Sequence, residues 1–242
     1  QIEASAKPGL ELHYTEWSSS YTPSDPIHDS YVSAAFILSK LKGIDSAAQS
    51  MSYWTFTDIF EEAGPRATPF HGGFGLLNYQ DIRKSSFHAY QFLHQLGETE
   101  LECSDADAFV CRGEYGGAQA LFWDFTITHP GPSVNNQDFY NKDLPSAPAA
   151  PVRIKISHLA PGCLYHLVAT RVGYRSNDAY TAYLDMGAPA QLTREQVASL
   201  KKVSDGTAFE SDIVTIGEDG VFERVYSMRQ NDVVLVRLEP VK

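Results

Sequence analysis

Two strand–helix units fill the first part of the sequence and constrain the fold more than any other feature. Alternating residues from Leu10 to Glu16 predict a strand, because successive side chains of a strand point to opposite faces. Apolar residues at helical spacing follow and stop at Gly43. Residues 50–56 predict a buried strand, and 81–96 predict a second helix. This order is typical of a parallel α/β barrel or sheet, and a closed barrel needs eight such units.

Both predicted strands end in polar, aromatic and acidic residues. Glu16 ends the first strand, and the segment 57–62 provides an acidic exit from the second. A glutamate at the end of an arbitrary strand is more often a solvated surface residue than a catalyst. In a β/α barrel, however, catalytic residues come from the carboxyl ends of the strands. Two neighbouring strand ends that both carry polar, aromatic and acidic residues therefore favour a functional site.

Beyond the second helix the pattern changes to short strands separated by turns. The predicted strands lie at 108–112, 118–125, 152–156, 163–171, 221–228 and 232–238. One short helix is predicted at 193–203, where Thr193 and Gln196 form a capping box. Short strands at this spacing predict a β-sandwich. We therefore predict two domains, an α/β barrel part at 1–98 and an all-β sandwich at 99–242.

Composition argues against several classes of function. The formal net charge of -11 disfavours nucleic acid and anionic membrane surfaces as partners. No apolar run reaches the roughly 18 residues of a transmembrane helix. No phosphate-binding loop or cluster of metal ligands is present, so we expect no cofactor. The start at Gln1, without a signal peptide, suggests a partial chain and leaves the compartment and a homo-oligomeric state open.

The three cysteines do not form a disulfide framework or a zinc motif. Cys103 and Cys111 could face each other across a hairpin. Free buried thiols are the more common outcome for such a sparse set, and we expect them here.

Three segments together resemble glycoside hydrolase family 39, in particular its β-xylosidases. They are YTEWSSSYTP at 14–23, YWTFTDIFEE at 53–62 and FHGGFGL at 70–76. The resemblance covers essentially the whole chain, because that family follows its catalytic barrel with a β-sandwich. It implies that residues 1–98 are strands 7 and 8, with their helices, of a (β/α)8 TIM barrel.

The resemblance implies a retaining glycosidase with Glu16 as its nucleophile. The nucleophile attacks the anomeric carbon, a second carboxyl group protonates the leaving oxygen, and water hydrolyses the glycosyl-enzyme. Trp54 would form an aromatic floor under the sugar, and Glu61 with Glu62 would bind its hydroxyl groups. The full set of expected substrate-binding residues is Trp54, Glu61, Glu62, Phe60 and Tyr21.

None of the three motifs contains a residue that matches the family's second catalytic carboxyl group, the acid/base. The family's acid/base is a Glu preceded by Asn at the end of strand 4, and the sequence contains no Asn-Glu dipeptide. We therefore expect a missing N-terminal half of the barrel to carry it. Thr15, Ser18 and Tyr21 could donate the hydrogen bonds that keep Glu16 ionised. Asp58 is expected to brace a loop as a hydrogen-bond acceptor rather than to catalyse.

The expected substrate is a xylo-oligosaccharide, cut at its non-reducing end, or an aryl xyloside. A different specificity within the family, such as that of an α-L-iduronidase-like enzyme, is the first alternative. A sugar carboxylate would need a cationic partner, and around the first two motifs only Arg66 offers one. A non-catalytic carbohydrate-binding or assembly module is the second alternative. We expect the sandwich to buttress the barrel rather than to bind sugar.

Overall fold

The structure, a computed structural model, describes residues 4–44, 47–60, 64, 66–127 and 129–241. Its N-terminal part alternates strands and helices: β1 (His13–Trp17), α1 (Val32–Ile44), β2 (Ser50–Tyr53) and α2 (Ser85–His94). β1 and β2 pair in parallel, and α1 packs against α2. The strand–helix–strand–helix order predicted from the sequence is therefore confirmed.

Two boundaries in this part differ from the prediction. β1 begins at His13, so Leu10 precedes the strand and 57% of its surface is exposed. α2 begins at Ser85 rather than at Asp81, because the backbone of Asp81 is left-handed, with φ of 60°. The side chain of Asn78 also accepts hydrogen bonds from two backbone N–H groups of the following turn, which stabilises that turn against the helix.

Antiparallel strands begin at Thr99 and form two sheets. Their bounds are β3 (Thr99–Glu100), β4 (Ala108–Arg112), β5 (Ala118–Trp123), β6 (Pro148–Ile156), β7 (Leu164–Val172), β8 (Glu210–Thr215), β9 (Phe222–Arg229) and β10 (Val233–Pro240). Six strands form one sheet in the order β3-β4-β5-β10-β7-β8, and β6 pairs with β9 in the other. The layers form the predicted β-sandwich.

The centre of the six-stranded sheet is buried on both faces, as its strand β10 shows. Val234 and Val236 belong to the core shared with β6 and β9. Val233 and Leu235 belong instead to the core shared with α1 and α2. A strand buried on both faces is a continuous apolar run rather than an alternating one. The sandwich thus packs directly on α1 and α2.

Three helices lie among the sandwich strands: α3 (Asn136–Phe139), α4 (Ala179–Asp185) and α5 (Arg194–Val203). The capping box of Thr193 and Gln196 is present at the start of α5, as predicted. Only α5 was predicted from the sequence in this part of the chain, and the prediction of a single helix was wrong. α4 was missed because it is short and rich in aromatic residues. β8 was also missed, since it is a polar edge strand without clear alternation. Among the described residues, no helix combines the length and apolar composition needed to cross a bilayer.

The cysteines are all free thiols. Cys111 is buried, whereas Cys103 and Cys163 are exposed. The expectation of free thiols rather than a Cys103–Cys111 bridge is confirmed, but the expectation that they are buried is wrong for Cys103 and Cys163.

Asp178 generates a testable pH dependence of stability. It caps α4 and accepts hydrogen bonds from Thr181 and Arg175, and burial raises the pKa of its carboxyl group from 3.8 to about 6. Between these pH values the folded state keeps its proton while the unfolded chain ionises. The free energy of unfolding therefore falls as pH rises, by about 3 kcal/mol at most from this group.

We expect Asp178→Asn to remove this fall, because asparagine still caps the helix but does not titrate. Urea unfolding of wild type and variant at pH 4 and pH 7 measures the difference. Asp205→Asn is the control, since hydrogen bonds from Thr207 lower the pKa of exposed Asp205 and predict a small change of opposite sign. Parallel stability curves for wild type and Asp178→Asn would contradict the prediction.

Candidate active site

The first strand exit contains a β-bulge at the predicted nucleophile. The register between β1 and β2 shifts between Tyr14 and Trp17, so that Thr15 and Glu16 together oppose Ser52. A bulge re-aims side chains and is frequent beside active sites. Glu16 is exposed at this point. The local irregularity therefore presents the carboxylate at the strand end.

The aromatic residues beside the bulge define the two faces of the strand pair. The Trp17 ring lies 5.6 Å from that of Tyr53 and 6.4 Å from that of Phe36, and all three pack into the helical core. The Trp54 N–H donates to the Trp17 carbonyl oxygen at 2.9 Å, which continues the strand pairing. Trp17 and Tyr53 therefore face the helices, and Glu16 and Trp54 are their immediate neighbours in the chain.

The loop after β1 uses its polar groups internally. The Ser18 hydroxyl donates to the Ser20 carbonyl oxygen at 2.5 Å, so it does not donate to Glu16 as expected from the sequence. Tyr21, a predicted substrate-binding residue, has 94% of its surface exposed. Among the described residues, no hydrogen bond or ion pair reaches the Glu16 carboxylate. The hydrogen-bond donors expected for the Glu16 carboxylate are therefore not found among the described residues.

The exit from β2 leads directly to the other predicted sugar-binding residues. Phe60 ends a short 3-10 helix, Asp58–Phe60, that follows this exit. Glu61 and Glu62 lie outside the described residues, so their assignments stay predictions.

A buried ion triplet of Lys84, Asp29 and Asp58 lies behind these exits. The Lys84 Nζ is 2.7 Å from Asp29 Oδ1 and 2.7 Å from Asp58 Oδ2, and it donates to the Gly73 carbonyl oxygen at 2.9 Å. The three side chains are at most 1% exposed. The ammonium therefore has two ion-pair contacts and one hydrogen bond.

The second carboxylate oxygens of the triplet fix the glycine loop, residues 70–77. Asp29 Oδ2 accepts from the Gly72 N–H at 2.6 Å, and Asp58 Oδ1 accepts from the Gly75 N–H at 2.7 Å. A Cβ atom on Gly73 would lie 2.4 Å from Asp58 Oδ1. The glycines are therefore required by close approach, and the predicted loop-bracing role of Asp58 is confirmed.

Burial and charge act in opposite directions within the triplet. Burial lowers the pKa of Lys84, but the attraction of Asp29 and Asp58 outweighs it, so the pKa lies above its ordinary value. Burial raises the pKa of Asp29, and the neighbouring carboxylate adds to this effect while Lys84 opposes it. The ammonium is thus held charged in a site without water access.

His28 connects the β1 exit to the same network. Its Nε2 lies 2.9 Å from the Ser20 carbonyl oxygen, and its Nδ1 lies 2.8 Å from that of Gly72. The ring is fully buried, with its centroid 4.7 Å from that of Phe74. His28 therefore bridges the loop after the predicted nucleophile and the glycine loop.

Sequence reasoning did not identify Lys84, Asp29 or His28. Lysine and aspartate are almost always surface residues unless paired, so their types gave no reason to single them out. The spacing of three glycines at 72, 73 and 75 was the available signal, since such a loop implies close neighbours.

The sandwich also contacts the glycine loop. Phe70 is buried at ring distances of 5.8 Å from Tyr180 and 5.0 Å from Tyr183, both in α4. These three residues line a cleft of about 350 Å³ between the loop and the sandwich. The loop that braces the strand exits is therefore supported from both parts of the chain.

Comparison with known proteins relates this geometry to one enzyme family. The family model described as "Glycosyl hydrolases family 39" matches residues 2–216. A beta-xylosidase of Geobacillus stearothermophilus is 31% identical over 241 residues, which are 100% of this chain and 44% of that protein. A beta-xylosidase of Caldicellulosiruptor saccharolyticus is 35% identical over 202 residues, which are 81% of this chain and 38% of that protein.

Solved structures give the same relation. The GH39 enzyme from Xanthomonas axonopodis pv. citri matches with a TM-score of 0.93 and 45% identity, over 99% of this chain and 47% of that chain. A monomeric beta-xylosidase from Caulobacter crescentus CB15 matches with a TM-score of 0.92 and 44% identity, over 100% of this chain and 48% of that chain. The chain therefore spans less than half the length of the relatives it matches.

Removal of the ammonium from the triplet should destabilise the protein strongly. We expect Lys84→Met to lower the free energy of unfolding by about 3–5 kcal/mol, because two buried carboxylates lose the cation that they share. Lys201→Met is the matched control: its partner Asp81 is at 3.0 Å, but both side chains are exposed, so the loss should stay below about 1 kcal/mol. Urea unfolding of the full-length protein measures both, and equal losses would contradict the prediction.

Proposed function

The chain belongs to glycosyl hydrolase family 39, and on this basis we propose that the protein containing it is a retaining β-xylosidase. The observation that carries the proposal is the pair of adjacent strand ends, with exposed Glu16 at a bulge in one and Trp54, hydrogen-bonded to Trp17, at the end of the other. Two beta-xylosidases, 31% and 35% identical, support the proposal, as do the solved structures of a GH39 enzyme at 45% identity and of a monomeric beta-xylosidase at 44% identity. These matches cover 81% to 100% of this chain.

Glu16 is the proposed nucleophile. Its carboxylate oxygen attacks the anomeric carbon as the glycosidic bond breaks, and the leaving oxygen takes a proton from a second carboxyl group. Water then attacks the same carbon, the bond to Glu16 breaks, and the second group takes back a proton. The exposed position of Glu16 at the strand end leaves room for a sugar to approach.

The remaining residues would position the sugar. An indole face packs well against the C–H groups of a pyranose ring, which suits Trp54. Carboxylates accept hydrogen bonds from paired hydroxyl groups, which suits Glu61 and Glu62. Phe60 and Tyr21 are proposed to complete the pocket wall.

We assign the acid/base carboxyl group to residues outside this chain. In retaining enzymes the two carboxyl groups lie about 5–5.5 Å apart, so the partner must come close to Glu16. Within the described residues, β1 and β2 pair only with each other, and each leaves one edge without a neighbouring strand. Exposed edges normally pair or are covered. Further barrel strands, including the acid/base residue, would complete this sheet.

A neutral xylo-oligosaccharide or aryl xyloside is the proposed substrate. Lys84 is fully buried and already paired with two carboxylates and a carbonyl oxygen, so it offers no charge to a sugar carboxylate. The preference for a pentose over the uronic acid of the iduronidase-like alternative rests on the relatives described as beta-xylosidases. The structural likeness to a bacterial orthologue of human α-L-iduronidase, at 14% identity and a TM-score of 0.67, concerns the fold alone.

Covalent labelling tests the nucleophile. A 2-deoxy-2-fluoro-xyloside with a good leaving group should inactivate the full-length protein and label Glu16, because loss of the 2-hydroxyl slows hydrolysis of the intermediate. Peptide mass spectrometry locates the label. Glu16→Gln should abolish labelling, and Glu11→Gln, a neighbouring exposed glutamate, should leave it unchanged. A label on any other residue would exclude Glu16 as nucleophile.

The proposal that Glu16 lies in this chain and the acid/base residue lies outside it gives a second prediction. The 242-residue chain alone should not turn over an aryl xyloside, whereas the full-length protein should, because only the latter holds both groups. Rates are measured at matched concentration, with circular dichroism to check that the short chain is folded. Turnover by the folded short chain would place an acid/base residue within it.

A further inference from the structure

We propose that the ion triplet of Lys84, Asp29 and Asp58 is a positioning device that fixes the three segments around the proposed sugar site. The expected effect on enzyme kinetics rests on the proposed function, whereas the expected effect on the order of the three segments does not. Lys84 is a positioning residue in this proposal, since its side chain has no access to a substrate.

The contacts of one ammonium reach three separate segments. Asp29 lies in the segment between β1 and α1, Asp58 follows β2, and Gly73 belongs to the glycine loop. Each carboxylate then uses its other oxygen to hold a backbone N–H of the glycine loop. Loss of either carboxylate therefore loosens two contacts at once.

The network also extends to both proposed catalytic strands. Asp58 lies on the exit that carries Trp54 and leads to Glu61 and Glu62. His28, next to Asp29, contacts the Ser20 carbonyl oxygen in the loop that follows Glu16. The same set of buried contacts thus sets the relation between the proposed nucleophile loop and the proposed sugar-binding loop.

Energetics favour a role in position rather than in stability. Desolvation of three charges offsets much of their attraction, and well-packed apolar residues often stabilise a protein as well as a buried ion cluster. Apolar contacts are not directional, whereas charge-assisted hydrogen bonds fix both distance and angle. A cluster that joins three loops beside a site therefore serves their geometry.

Asp58→Asn separates the positioning effect from unfolding. The variant leaves Lys84 and Asp29 as a balanced pair, and the asparagine oxygen can still accept one hydrogen bond. Asp232→Asn is the matched control, because Asp232 is equally buried and paired with Arg171 but lies in the turn between β9 and β10. Both variants are made in the full-length protein.

Two readouts are measured on wild type and both variants. KM and kcat are determined on an aryl xyloside, and amide hydrogen exchange is followed in segments 56–60 and 70–77. We expect Asp58→Asn to raise KM about 10-fold and to speed exchange in both segments, since small misplacements of binding groups are costly. Asp232→Asn should change neither. A loss of folded protein lowers the apparent kcat but leaves KM unchanged, so KM reports the site itself.

The outcomes separate the two proposals. Unchanged exchange in both segments of Asp58→Asn, or faster exchange with an unchanged KM, overturns the positioning role. A wild-type protein that turns over no xyloside overturns the proposed function. In that case the exchange data alone decide whether the triplet holds the segments.

Discussion

Lys84 needs charged and polar partners, because its ammonium is buried where water does not reach it. Two aspartates and one carbonyl oxygen provide them, and those partners lie on three different segments. The requirement to satisfy one charge thereby brings together the exits of two strands and a glycine loop. The glycines follow from the same requirement, since a Cβ on Gly73 would overlap the Asp58 carboxylate.

The sandwich is part of the same structural unit as the strand–helix segment. Its central strand β10 contributes apolar residues to the sandwich core on one face and to the core with α1 and α2 on the other. Phe70 adds a second connection, between the glycine loop and α4. A sheet that is buried on both sides loses apolar contacts if either partner is removed. The sandwich therefore supports the loops of the proposed site in addition to the helices.

The proposed function divides a two-carboxylate reaction between this chain and further barrel strands. Glu16 and Trp54 lie at adjacent exits of a two-stranded parallel sheet, and among the described residues both outer edges of that sheet lack a neighbour. Exposed strand edges normally pair or are covered, so we expect further strands to pair with β1 and β2. The same missing strands would cover the edges and deliver the second carboxyl group.

Local sequence determined the alternation of strands and helices, the capping box of α5, the sandwich strands and the motif at Glu16. These features depend on side-chain period, caps and turns within a few residues, which the sequence displays directly. Sequence alone did not reveal α4 or β8, whose patterns are short or polar. Only the tertiary structure decided the partners of Lys84 and His28, because ions distant along the chain pair according to where the fold places them. The sequence thus pointed to the residues that we propose react, and the packing of three loops around one ammonium decided how those loops are held.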